Sequence, residues 1–169
     1  WLVLRKRRIR QLSLAAREAI LQGDSGTARK ALVSLLAFLE YRYSPGSVYY
    51  GLAVADLLDG NHRRARELLE RSGENPAALE LLALLFLEEG GNQRADTIAK
   101  RLLSQRPGRL SLWLLHAACQ EALGHADTAE RIVRQAAARW PRSPAATNAL
   151  RCIEAGESLR GMLLDKELG

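Results

Sequence analysis

Apolar residues recur along most of the chain at i, i+3, i+4 and i+7, the spacing of one buried face of an α-helix. Glycines interrupt these runs at near-regular intervals. Gly23, Gly60, Gly90 and Gly124 stand 37, 30 and 34 residues apart. Five residues after each comes an alanine: Ala28, Ala65, Ala95 and Ala129. Four residues later again comes an apolar residue: Leu32, Leu69, Ala99 and Val133. Pro107 and Pro141 lie 34 apart, and each closes a unit. The pattern predicts tandem helix–turn–helix units. Glycine ends the first helix of each by turning left-handed at little cost. The alanine lets two helix backbones approach, and the large residues fill the space beside it. Proline starts the next unit and cannot prolong the last. No such unit buries its apolar face alone, so stacking must make the core.

A period of this length with these marks resembles the tetratricopeptide repeat (TPR). In the unit from Pro76, Leu79, Leu82, Ala83 and Phe86 stand where the family has its large–large–small–aromatic set, followed by Gly90, Ala95 and Pro107. The unit from Leu110 matches with Trp113, Ala117, Gly124, Ala129, Ala136 and Pro141, but His116 replaces the usual Leu and Gln120 the usual aromatic. The unit from Gly46 matches with Tyr49, Leu52, Ala53, Gly60 and Ala65 and is four residues short. The unit from Ile9 has Leu12, Ala15, Ala16, Gly23 and Ala28, with about three extra residues before Pro45. The resemblance implies an all-α fold, a right-handed TPR-like solenoid of antiparallel helix pairs with about four repeats. Their bounds are 9–45, 46–75, 76–109 and 110–143, with a partial repeat at 144–155. Residues 156–169 are expected as a capping helix and tail, with Leu159, Met162 and Leu163 covering the last repeat. Tyr43-Ser44-Pro45-Gly46 is the one loop marked by its composition.

At 169 residues with 47% apolar and 26% charged side chains, the chain is globular in composition. The net charge of +6 is lopsided. Residues 1–22 hold Arg5, Lys6, Arg7, Arg8, Arg10 and Arg17 against Glu18 alone, and the rest of the chain is nearly balanced. A nucleic-acid binder usually spreads its bases over a face, so nucleic acid is the weakest of the partner classes. The chain opens on Trp1, and Trp1-Leu2-Val3-Leu4 runs into Arg5-Lys6-Arg7-Arg8. That order is expected of the last turn of a transmembrane helix and its cytoplasmic flank, the rest of the anchor lying upstream. A plain amphipathic first helix is the alternative.

No constellation for catalysis, metal or cofactor emerges. The G-x-x-x-x-G-K-[ST], H-E-x-x-H and G-x-S-x-G patterns are absent, and an enzyme is not expected. Gly23-Asp24-Ser25-Gly26 reads as a turn in which Asp24 or Ser25 caps a helix. His62 and His125 follow turn glycines and are expected at the surface, and His116 as a hydrogen-bonded packing residue. Cys119 and Cys152 are expected as buried small hydrophobes. Arg131, Arg134, Arg139 and Arg142 make a basic strip offset by Asp127 and Glu130.

In the TPR family the first helices line a concave groove through places 2, 5, 9 and 12. Carried over, these are Arg10, Ser13, Arg17 and Ile20; Ser47, Tyr50, Val54 and Leu57; Ala77, Glu80, Leu84 and Leu87; and Ser111, Leu114, Ala118 and Glu121. The resemblance implies a partner-binding strip of Tyr50, Val54, Leu57, Leu84, Leu87 and Leu114, with Arg17, Glu80 and Glu121 along it. The alternative is that these residues pack against one another or the capping helix. The carboxylate clamp of chaperone-binding TPR domains is missing, since its Asn and Lys are absent and Glu80 repels a carboxylate. The expected function is a non-enzymatic scaffold binding protein partners. With a membrane flank it resembles scaffold subunits on the cytoplasmic face of the bacterial inner membrane. Exopolysaccharide secretion (the Pel system), lipopolysaccharide assembly and cytochrome c maturation use such subunits. A soluble chaperone for a secretion substrate is the alternative.

Overall fold

The structure, a computed structural model, describes residues 2–39 and 45–167. Trp1 and the Tyr43-Ser44 half of the marked loop lie outside the described residues. The described elements are α1 (Leu2–Leu21), α2 (Ser25–Leu39), α3 (Gly46–Leu58), α4 (His62–Arg71), α5 (Pro76–Glu88), α6 (Asn92–Gln105), α7 (Leu110–Ala122), α8 (Ala126–Arg139), α9 (Pro144–Glu154) and α10 (Leu159–Glu167). The described residues contain no strand. The chain forms two compact units, Trp1–Leu79 and Glu80–Gly169, the boundary falling inside α5.

The sequence marks do in three dimensions what their chemistry requires. Gly23, Gly60, Gly90 and Gly124 have φ of +73°, +73°, +82° and +83°. Each closes the same double hydrogen bond at the end of a first helix. Around Gly60 the bonds are Gly60 N to Leu57 O at 2.9 Å and Asn61 N to Asp56 O at 2.8 Å, which satisfies carbonyls the helix leaves free. Gly156 repeats the device after α9, with φ +70° and Glu157 N donating to Cys152 O at 2.9 Å. Ala28, Ala65 and Ala95 have no exposed surface and Ala129 has 2%.

In the first unit, α1 and α2 pack as one pair, α3 and α4 as the next, and α2 joins them by lying on α3. The core between them is Ala16, Ala31, Leu32, Leu35, Val48 and Leu52, with Ile9, Leu12 and Tyr49 packed at its edge. Gly51 lies inside α3, where a Cβ would come within 3.0 Å of the Leu32 side chain. The four residues missing from the second repeat are missing from its second helix. That helix, α4, has 10 residues, against 14 in each of α6 and α8. Residues 5–8 lie in the first two turns of the 20-residue α1. No helix among the described residues is long and apolar enough to cross a membrane.

In the second unit, α7 pairs with α8, α6 lies on α7, and α8 lies on α9. Trp113 donates its Nε1 hydrogen to Pro107 O at 2.9 Å and meets Trp140 edge-on at 6.0 Å. The capping helix takes an unexpected position. A second helix normally packs most heavily on the first helix of its own pair, but α10 packs more on α7 than on its neighbour α9. It returns over the first-helix side of the unit.

Candidate protein-binding surfaces

The first unit carries an open, largely apolar cavity of about 370 Å³. Its walls come from α1 through Ser13, Arg17 and Ile20 and from α3 through Ser47, Tyr50 and Val54, over a floor that includes Leu32. Six of the eight side chains that the repeat register assigns to these two helices therefore line one site. Arg17 is exposed, and Tyr50, Val54 and Leu57 are half-buried. Leu57 is not among the lining residues. Leu14 and Leu21, 56% and 79% exposed, add apolar surface to α1, and Leu21 reaches the cavity.

The corresponding residues of the second unit are arranged differently. Leu84, Leu87 and Leu114 are 6%, 0% and 3% exposed, so they do not form the open strip expected of them. On α7, Leu114 and Ala118 are buried in the face that α10 approaches. Glu121 is taken up by α10: its carboxylate accepts from Leu159 N at 3.1 Å, Arg160 N at 3.2 Å and Ser158 Oγ at 3.2 Å. Glu80 is half-buried and pairs with Arg109 at 3.4 Å. Arg5 is half-buried, and Lys6, Arg7 and Arg8 are exposed on α1.

Two buried carboxylates went unnoticed in the sequence. Asp96, 1% exposed, accepts from Gln120 Nε2 at 2.8 Å, lies 2.8 Å from His116 Nδ1, and pairs with Lys100 at 2.7 Å. His116 and Gln120 are the two departures from the repeat pattern, and one acceptor explains both. Burial pushes the Asp96 carboxyl up, but Lys100, Gln120 and His116 more than reverse this and hold it below its ordinary 3.8. Gln120 Oε1 also faces His125 Nδ1 at 3.0 Å. Asp56, with no exposed surface, pairs with Arg29 Nη1 at 2.5 Å, while Arg29 Nη2 reaches Asp59 at 2.6 Å. These networks join α6 to α7 and α2 to α3.

The minor expectations are resolved. Asp24 is the cap of α2, accepting from Thr27 N at 2.9 Å, while Ser25 turns to Asp59. Thr27 holds the Asp24 carboxyl below its ordinary value. Cys119 and Cys152 are buried free thiols, Cys119 pushed up to about 12 chiefly by burial. No cluster of metal-ligating side chains exists among the described residues.

No family model and no curated protein matches the sequence. Two crystal structures of nearly identical TPR-like repeats, from a kinesin light chain-like protein of Podosopora anserina, are similar in fold. The first, a point variant, superposes with a TM-score of 0.71 at 19% identity, covering 94% of this chain and 92% of that one. The second has the same score and identity and covers 96% and 98%. With glycine turns, buried alanines and antiparallel pairs in register, the fold of this chain is an all-helical solenoid of TPR-like repeats.

Proposed function

We propose that the chain is a non-enzymatic scaffold that binds a protein partner in the first unit's cavity. The observation that carries this reading is the convergence of Ser13, Arg17, Ile20, Ser47, Tyr50 and Val54 on one open site. An apolar floor with a single exposed cation suits a peptide or helix that presents apolar side chains and an acidic one. The setting we propose is the cytoplasmic face of a bacterial inner membrane, in envelope or exopolysaccharide assembly. The exposed Lys6, Arg7 and Arg8 at the start of α1 support it, since such clusters favour anionic lipid surfaces.

The test is a capture experiment with the full-length protein from membranes, wild type against Tyr50→Ala/Val54→Glu, read by mass spectrometry. The variant should keep its helical circular dichroism and lose an envelope-assembly partner that the wild type retains. A partner retained by the folded variant moves the binding site away from the cavity. Recovery of secreted substrates instead identifies a soluble secretion chaperone.

A further inference from the structure

The face of α7 and α9 beneath α10 is built to receive the start of a helix. A helix leaves its first N–H groups without partners, and ordinarily its own capping residue supplies an acceptor. Here Ser158 supplies one, its hydroxyl accepting from Gly161 N at 3.3 Å, and a second acceptor comes from α7. Glu121, 38 residues before Leu159, takes that residue's N–H on one carboxylate oxygen and, on the other, the Arg160 N–H and the Ser158 hydroxyl. Charge adds to these bonds, because the positive end of the helix dipole faces a carboxylate. Behind this clamp sit Leu159 and Leu163, 0% and 8% exposed. They are four residues apart and so share one side of the helix. Arg160 Nη2 then donates to the carbonyl of Glu88 at 2.9 Å.

The helix seated there is slight. α10 has nine residues and follows α9 after a short turn at Gly156. A helix of that length has little stability of its own in water, so the seat holds α10 rather than the reverse.

We propose that this face is a helix-docking site occupied in cis by α10, and that its partner in trans is a short amphipathic helix of the same chemistry. That helix carries a hydroxyl residue just before its first turn for Glu121. It has aliphatic residues at its first and fifth positions for the Leu159 and Leu163 seats, and a basic residue at its second for the Glu88 carbonyl. The tether gives α10 a high effective concentration, so a free helix competes poorly until α10 lifts. The site is separate from the cavity of the first unit, and either can fail without the other.

The probe is a synthetic peptide covering residues 157–167, titrated against three full-length proteins by fluorescence anisotropy. These are the wild type, the release variant Leu159→Asp/Leu163→Asp, and the release variant with Glu121→Gln added. The release variant should bind the peptide about tenfold or more tighter than wild type. Adding Glu121→Gln should reduce that binding by about tenfold. A release variant that keeps its helical dichroism yet binds no peptide overturns the proposal, as does one whose binding is indifferent to Glu121→Gln. Amide exchange on the wild type gives a second reading that needs no variant. The Leu159, Arg160 and Leu163 amides should exchange faster than those of α7; α10 opening only together with α7 would make it an integral element and overturn the proposal. Concentration-dependent dimerisation of the wild type, abolished by Leu159→Asp, would assign the seat to α10 of a second copy and overturn the heterologous partner.

Discussion

Asp96→Ala is expected to lower the unfolding free energy by about 2–4 kcal/mol, the cost of leaving His116 and Gln120 without their acceptor. The midpoint of thermal unfolding should fall by about 10 °C. The effect is large because Asp96 is 1% exposed and serves three groups at once, Lys100, His116 and Gln120. Lys100 can turn to water. His116 and Gln120 are held on α7 and lose an acceptor they cannot replace. The pH dependence follows from the lowered carboxyl. Its folded value lies below 3.8, so the contribution is complete above 3.8 and is lost as pH falls through the folded value. The gap between wild type and variant should therefore be steady above that range and narrow in stronger acid. A further variant separates the network from its volume. Asp96→Ala/His116→Leu/Gln120→Tyr restores the apolar residues of the repeat pattern and should recover most of the loss, since an apolar replacement of a whole buried network is often neutral. Denaturant unfolding checks this; a single Asp96→Ala variant within about 1 kcal/mol of wild type would show that the network holds little.

The repeat was legible because its marks are places where few residue types work. A left-handed turn selects glycine, and a contact with no room for a larger side chain selects alanine. Four glycine–alanine pairs therefore declared four units. The fifth glycine turn was missed for a physical reason. Gly161, not alanine, stands five residues after Gly156, and α10 does not pair with α9 as a second helix does. The length deficit of the second repeat was readable from spacing, but only packing shows that α4 absorbs it.

The candidate site was half legible. The groove places carried over from the TPR resemblance put Arg17 of α1 with Tyr50 and Val54 of α3, and all three line the cavity. The resemblance left open whether the rest of the strip stays free or packs against the capping helix, since the apolar pair Leu159 and Leu163 suits any apolar surface and tertiary competition decides which. Glu121 was therefore read as the rim of a groove, and it is the clamp of a helix terminus. The departures His116 and Gln120 were visible, but their acceptor lies 20 and 24 residues away on another helix. No spacing rule links such positions.

Arg29 carries the second large effect. Its guanidinium bridges two carboxylates, one nitrogen to Asp56 at 2.5 Å and another to Asp59 at 2.6 Å, and so fixes α2 against the end of α3. The hydrogen bond to Asp56 is the main reason the guanidinium is held above its ordinary value. Asp56 has no exposed surface, and its other charged neighbour is Arg64, whose Nε is 3.3 Å away on a side chain 63% exposed. Arg29→Met therefore leaves a buried carboxylate with a poor partner and should cost about 3–5 kcal/mol. Arg29→Lys should recover only part of this, because an ammonium is a point charge and cannot fork between two acids. The double variant Arg29→Met/Asp56→Leu removes the stranded charge and should regain most of the stability. Urea unfolding reads all three, and the change should appear in the midpoint with the slope unchanged. The double variant also bears on the cavity, whose α3 wall includes Val54 and Tyr50. If Arg29 matters only through stability, partner capture returns with the double variant. If capture stays lost while stability returns, the bridge sets the position of α3 and with it the shape of the binding site.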